Sequence, residues 1–264
     1  MRTERRLSFG SVAEQYDAAR PSYPRELIDD LIALAPVRAG ERVLEVGAGT
    51  GKATRLLAER GLSVLALEPD SAMAAVARRS CDGMPVEVLE MELERRQPTG
   101  ERFALVVSAQ AWHWTDPALR YRLAREALRD GGALAAFWNI ADWPSCALCD
   151  AVDEAYRGIE FPVHPGPMLP RGERSAIDED WRREIEATEG FTAAEVREYE
   201  WEQPYTTPEY LALLGTHSDH IMLADVERRA LFDRVGAAID ANGGTLVMPY
   251  VTRLCLARAL RPHA

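Results

Sequence analysis

The chain has 264 residues, 47% of them hydrophobic and 28% charged, which are the proportions of a globular protein large enough to bury its own core. Its net charge is −11, with 42 acidic residues against 31 basic ones. That balance argues against the basic footprint through which nucleic-acid binders draw affinity from phosphates, so no nucleic-acid partner is expected. No run reaches the roughly 18 consecutive apolar residues of a membrane span. Met1–Arg6 is basic, but Leu7–Ser11 is no apolar signal core, and Cys81, Cys146, Cys149 and Cys255 are too scattered for a disulfide scaffold. A cytoplasmic protein with no membrane partner is the expectation.

In chain order, helical patterns around Ser11–Ala19 and Pro24–Ala35 precede the first β-rich run. Short apolar runs at Arg42–Val46, Ser63–Leu67, Val86–Leu89, Ala104–Ser108 and Ala133–Trp138 then alternate with helical stretches at Lys52–Arg60, Ser71–Arg79 and Pro117–Arg129. This is the rhythm of βαβ units on a parallel sheet covered on both faces. Asp130-Gly131-Gly132 reads as a helix stop and a tight turn into the fifth strand. From Ile140 to Gly190 the rhythm breaks at Pro144, Pro162, Pro165, Pro167 and Pro170, with helices expected at Cys146–Tyr156 and Glu179–Glu189. Residues 140–190 therefore read as an insertion over the sheet's carboxyl edge, either a substrate lid or packing for a dimer. A strand near Ala194–Gln203, helices at Pro208–Leu214 and Ala224–Ala241, and a strand at Leu246–Ala257 complete the chain.

The segment richest in chemistry is Glu45-Val46-Gly47-Ala48-Gly49-Thr50-Gly51, where an apolar strand ends in an acid and runs into alternating glycines. A phosphate-binding Walker loop fails, because Val46 and Ala53 stand where glycine and Ser/Thr are needed; a dinucleotide fingerprint lacks its last glycine, at Lys52. Glycines let the backbone pass close under a ligand, and a carboxylate at Glu45 suits an ammonium group better than a pyrophosphate. A plain strand-to-helix turn would use the glycines for positive φ alone. Glu68 ends the second strand and Pro69-Asp70 opens a helix, which places an acceptor for ribose hydroxyls at a switch-point site. Helix capping belongs to Asp70 or Ser71.

The spacing acidic-x-G-x-G-x-G resembles the first motif of the class I S-adenosylmethionine-dependent methyltransferases. The resemblance covers most of residues 9–140 and implies an α/β fold, a Rossmann-like, doubly wound, seven-stranded sheet whose last strand is antiparallel. It implies one cofactor domain over 1–139 and 191–264, with an N-terminal cap over 1–36. Glu92, beside Leu93, matches the acid that contacts adenine, although Met91-Glu92 replaces the usual Gly-Asp, and Phe103-Ala104 replaces the usual Phe-Asp. Phe9-Gly10-Ser11-Val12-Ala13-Glu14-Gln15-Tyr16-Asp17 and Arg20-Pro21-Ser22-Tyr23-Pro24 resemble the cap of the small-molecule branch that includes trans-aconitate methyltransferase. Tyr16, Arg20 and Tyr23 are then candidates for the methionine carboxylate or an anionic substrate.

The resemblance also places Ser108 and Gln110 beside the cofactor and His113-Trp114 near the transferring methyl. Trp112, Trp114 and Trp138 offer aromatic faces to a sulfonium, while core filling is the alternative for Trp112 and Trp138. His113 and His217 are candidate general bases; Asn139 ends the fifth strand at the same edge, and His164 is a further pocket candidate. Cys146-x-x-Cys149 and His217-x-x-His220 look like halves of a metal site, but no partner pair supports them and no metal is expected. The expected activity is methyl transfer from S-adenosylmethionine to a small-molecule acceptor, on oxygen or nitrogen, by a monomer or homodimer. Non-methyl chemistry on the same cofactor, such as its intramolecular cyclisation, and a non-catalytic binding module are the rival classes.

Overall fold

The computed structural model describes residues 13–35, 37–97, 100–143, 145–161 and 181–260. Phe9–Val12 of the expected cap, Pro144, Pro162, His164, Pro165, Pro167, Pro170 and the start of the helix expected at Glu179–Glu189 lie outside the described residues.

Helices α1 (Ala13–Ala19) and α2 (Arg25–Leu34) lead into β1 (Arg42–Val46). The chain continues through α3 (Lys52–Ala58), β2 (Ser63–Leu67), α4 (Ser71–Ser80), β3 (Val86–Leu89), β4 (Phe103–Ala109), α5 (Arg120–Ala127) and β5 (Leu128–Ala141). Then come α6 (Ala147–Ala155), helical residues 181–186, β6 (Glu195–Thr206), α7 (Thr207–Leu214), α8 (Ser218–Ile221), α9 (Asp225–Ala241) and β7 (Thr245–Arg258). The strands form one seven-stranded sheet in the order β3-β2-β1-β4-β5-β7-β6. The first five run parallel, and β7 lies antiparallel between β5 and β6. Among the described residues no helix is long and apolar enough to cross a membrane.

Successive strand residues enter opposite cores. Leu44, Val46, Leu65 and Val106 pack with Tyr121, Ala124 and Ala127 of α5, while Val43, Val64, Leu105 and Val107 pack with Leu27, Ile28 and Leu31 of α2. Burial on both faces is why these strands read as unbroken apolar runs. A third cluster joins Val152 of α6, Leu213 of α7, and Leu231, Val235 and Ile239 of α9 to the overhanging ends of β6 and β7 at Tyr205, Leu246 and Met248. The four-residue spacing on α9 puts its buried residues on one helical stripe.

One expectation needs correcting. Asp130-Gly131-Gly132 is not a turn ahead of β5 but lies inside it. Leu128 faces Phe103 and Ala133 faces Leu105, so β5 bulges between these two pairs. Gly131 has a φ of +74°, and a Cβ on Gly132 would sit 3.0 Å from the Ala104 carbonyl oxygen. Glycine is what lets the surplus residues fold against β4.

Candidate functional site

With β2 on one side of β1 and β4 on the other, the carboxyl ends of β1 and β4 form the topological switch point. The N–H groups of Gly47 and Ala48 donate to the Leu67 carbonyl at 2.9 and 3.0 Å, which folds the glycine loop across the end of β2. Gly47 and Gly49 have φ of +75° and +58°. A Cβ on Gly47 would lie 2.3 Å from Ala111 Cβ, so the loops leaving β1 and β4 touch there. A Cβ on Gly49 would meet nothing within 4 Å, because that side of the loop faces a cavity.

The cavity has a volume of about 690 Å³. Glu45, Gly47, Ala48 and Gly49 line it from the first loop, Glu68 and Pro69 from the second, and Glu92 and Leu93 from the third. Tyr16, Arg20 and Tyr23 close it from the N-terminal side, and Gln110, His113, Trp114, Trp138, Asn139 and His217 line it from β4, β5 and the segment before α8. Among the described residues, three of the site candidates singled out from the sequence are not among its walls. Gly51 caps α3. Ser108 is fully buried and donates to the Val46 carbonyl at 2.8 Å, tying β4 to the end of β1. Trp112 is 1% exposed and packs edge-on against Tyr121 in the core, as its apolar bulk favours.

The acids at the strand ends have different environments. Glu45 is fully buried; Thr54 Oγ1 donates to its Oε2 at 2.6 Å, while Oε1 has no partner. Burial pushes its carboxyl up to about 8, against the Thr54 hydrogen bond and reinforced by the charge of Glu68. Glu68 Oε2 accepts from the Gly49 N–H at 2.8 Å and Oε1 from the Asp70 N–H at 2.9 Å. It therefore braces the glycine loop as well as facing the cavity. Asp70 caps α4, with Oδ1 accepting from Ala72 and Met73 at 2.9 and 3.0 Å.

On the cap, Arg20 lies 5.1 Å from the Tyr16 ring centroid, and its Nε and Nη2 donate to Thr216 Oγ1 and carbonyl at 2.8 and 3.0 Å. The Asn139 amide is also engaged: Nδ2 donates to the Ser22 carbonyl at 2.9 Å, and Oδ1 accepts from Thr252 at 2.7 Å. It anchors the segment between α1 and α2 to β5. Gln110 carries a φ of +58°, a strained backbone for a non-glycine residue, and its Nε2 donates to the Asn139 carbonyl. His113 is exposed and packs on Trp114, with ring centroids 4.6 Å apart. His217 is half-buried, and its imidazole is held well below the usual range, first by desolvation, then by Arg20 and His220, against Asp219.

Ligand atoms of His217, Asp219 and His220 lie within 4.8 Å of one another. Both His220 ring nitrogens already face partners, Nδ1 with Asp219 Oδ1 at 2.7 Å and Nε2 with Tyr156 Oη at 2.9 Å. Tyr156, His220 and Asp219 therefore form a hydrogen-bond chain that ends at the cavity wall. Sequence reasoning missed several walls: Thr50, Lys52, Met73, Met91, Trp181, Asp219 and Tyr250. Thr50, whose buried Oγ1 has no partner, sits inside the glycine motif and was within reach. Trp181, packed edge-on against Trp138, comes from the insertion, where no periodicity announces a direction.

The methyltransferase domain family matches residues 43–132, from β1 into the bulge of β5. An uncharacterised methyltransferase of Mycobacterium tuberculosis is 33% identical over 259 residues, covering 95% of each chain. Among solved structures, a candidate type II methyltransferase of Anaeromyxobacter dehalogenans superposes with a TM-score of 0.67 at 25% identity, over 92% of this chain and 99% of its own. Phosphoethanolamine N-methyltransferase 2 of Haemonchus contortus, solved with S-adenosyl-L-methionine, shares the fold at a TM-score of 0.52 and 16% identity, over 96% of this chain and 57% of its own.

Proposed function

The chain belongs to the class I S-adenosylmethionine-dependent methyltransferases, and on that premise we propose that it methylates an oxygen or nitrogen of a small molecule. The observation that carries this reading is a cavity lined both by the glycine loop and the acids at the ends of β1, β2 and β3 and by the aromatic side chains of Trp114, Trp138, Trp181 and Tyr250. The cofactor fits what the residues offer. The unpartnered Oε1 of Glu45 is an acceptor for its ammonium group, and the open face of Gly49 leaves room for its backbone-hugging approach. Glu68 takes the ribose hydroxyls from its place on the cavity wall, and Glu92 with Leu93 takes the adenine.

The bound cofactor supplies an electrophilic methyl on a sulfonium that is already a good leaving group. The chain's task is alignment, worth several kcal/mol, and exclusion of water. His217, neutral across the physiological range, receives the proton of a hydroxyl or amine acceptor; His113 stands at the exposed rim. Ala141 and Trp181 bring the ends of residues 140–190 to the cavity wall, which supports a lid role for that insertion. The cap residues Tyr16, Arg20 and Tyr23 support the small-molecule branch resembling trans-aconitate methyltransferase, although two Arg20 nitrogens are committed to Thr216 and favour an uncharged acceptor. Trp138 and Trp114 hold a flat acceptor over the sulfonium.

The test is a mass-resolved product screen with the methyl-labelled cofactor and panels of phenols, amines and carboxylic acids. A small molecule that gains the labelled methyl on oxygen or nitrogen is the expected result. Label recovered only in RNA or protein acceptors would overturn the small-molecule reading.

A further inference from the structure

Cys146 and Cys149 close a disulfide at the start of α6, away from the walls of the cavity. Cys146 is the N-cap of that helix, and its Sγ accepts from the Cys149 N–H at 3.2 Å. The two residues differ sharply in access: Cys146 is exposed, whereas Cys149 is 4% exposed. Cys81 and Cys255, the remaining cysteines, are buried free thiols, both pushed up to about 11 chiefly by burial.

A disulfide stabilises a fold mainly by closing a loop, and the effect grows with loop length. This one spans two intervening residues, so fastening the fold is the least it can offer. What the pair does offer is asymmetry. One sulfur meets solvent at a helix N-terminus, where backbone N–H groups stabilise a thiolate, and the other is held beneath it to close the bond.

We propose that Cys146 and Cys149 are a thiol–disulfide exchange site whose substrates are external dithiols and disulfides. In the reducing direction, a thiolate of the external dithiol attacks Cys146 Sγ and displaces Cys149 as a thiolate, leaving a mixed disulfide on Cys146. The dithiol's second sulfur then attacks its own partner sulfur and displaces the Cys146 thiolate, so two electrons and two protons pass to the protein and the dithiol leaves as a cyclic disulfide. In the oxidising direction, the Cys146 thiolate attacks an external disulfide and expels one thiolate. Cys149 then attacks Cys146 Sγ and expels the second.

The test uses the native full chain. Treated with dithiothreitol and then N-ethylmaleimide, the oxidised protein should carry label on Cys146 by peptide mass spectrometry, with the buried Cys81 and Cys255 unlabelled. Incubated with glutathione disulfide, Cys149→Ser should take up glutathione on Cys146, and Cys146→Ser should take up none on Cys149. A disulfide that yields to dithiothreitol only in denaturant would overturn the proposal. Equal uptake by both variants, or none by Cys149→Ser, would overturn it as well.

Discussion

Burial of Glu45 makes cofactor binding a proton-linked event. With its carboxyl pushed up to about 8, roughly nine in ten ligand-free molecules at pH 7 hold Glu45 protonated. An ammonium group at the unpartnered Oε1 favours the carboxylate, so binding below pH 8 expels a proton. Between pH 6 and 7 the apparent Kd for S-adenosylmethionine should therefore tighten close to tenfold, about 1.4 kcal/mol. His217 does not interfere, since its imidazole is held well below that interval. Calorimetry at pH 6.5 in buffers of different ionisation enthalpy should report about one proton released per cofactor bound, and Glu45→Gln should abolish both the release and the slope. A wild-type Kd that is flat from pH 6 to 7, or a slope that survives in Glu45→Gln, would refute the reasoning. In the ligand-free protein the same raised carboxyl means that folding binds a proton. That contribution is fully present below the ordinary value of 4.5 and is lost as pH rises to about 8, so Glu45→Gln should raise Tm more at pH 8 than at pH 5.

Gly47 and Gly49 should separate stability from binding. Gly47→Ala drives a Cβ into Ala111 and should cost about 2–5 kcal/mol in urea unfolding, whereas Gly49→Ala keeps the fold by circular dichroism and loses cofactor affinity. Glu68→Ala should weaken cofactor binding by about 1.5–3 kcal/mol and also lower Tm, because the Gly49 and Asp70 N–H groups lose their acceptor; an unchanged Kd would place the ribose partner elsewhere. Trp112→Ala should cost about 3–5 kcal/mol of stability and leave the cofactor Kd of the folded enzyme unchanged, as measured by denaturation and calorimetry. His217→Gln should lower kcat about 10²-fold or more with the cofactor Kd intact if it receives the acceptor's proton.

The strands that form the site were legible because burial on both faces leaves a continuous apolar run, and β1, β2 and β3 keep the boundaries their sequences suggest. The glycine loop was legible because alternating glycines after an acid are rare outside close ligand approach. What could not be read was direction. Ser108 and Trp112 adjoin residues that face the cavity, yet one ties two strands together and the other fills the core. The bulge at Gly131-Gly132 has the same composition as a turn, and its pairing with β4 depends on a partner distant in sequence. The double duty of Glu68 and the chain from Tyr156 through His220 to Asp219 likewise join elements that no local pattern connects.

The central claim is that the cavity admits an external acceptor in line with the cofactor's methyl group. Its most direct test follows the fate of S-adenosylmethionine with the pure protein, alone and with acceptors drawn from the phenol, amine and acid panels. The account predicts S-adenosylhomocysteine in step with a methylated product, and only when an acceptor is present. Rapid release of methylthioadenosine without any acceptor would contradict it and assign the cavity to intramolecular chemistry on the cofactor.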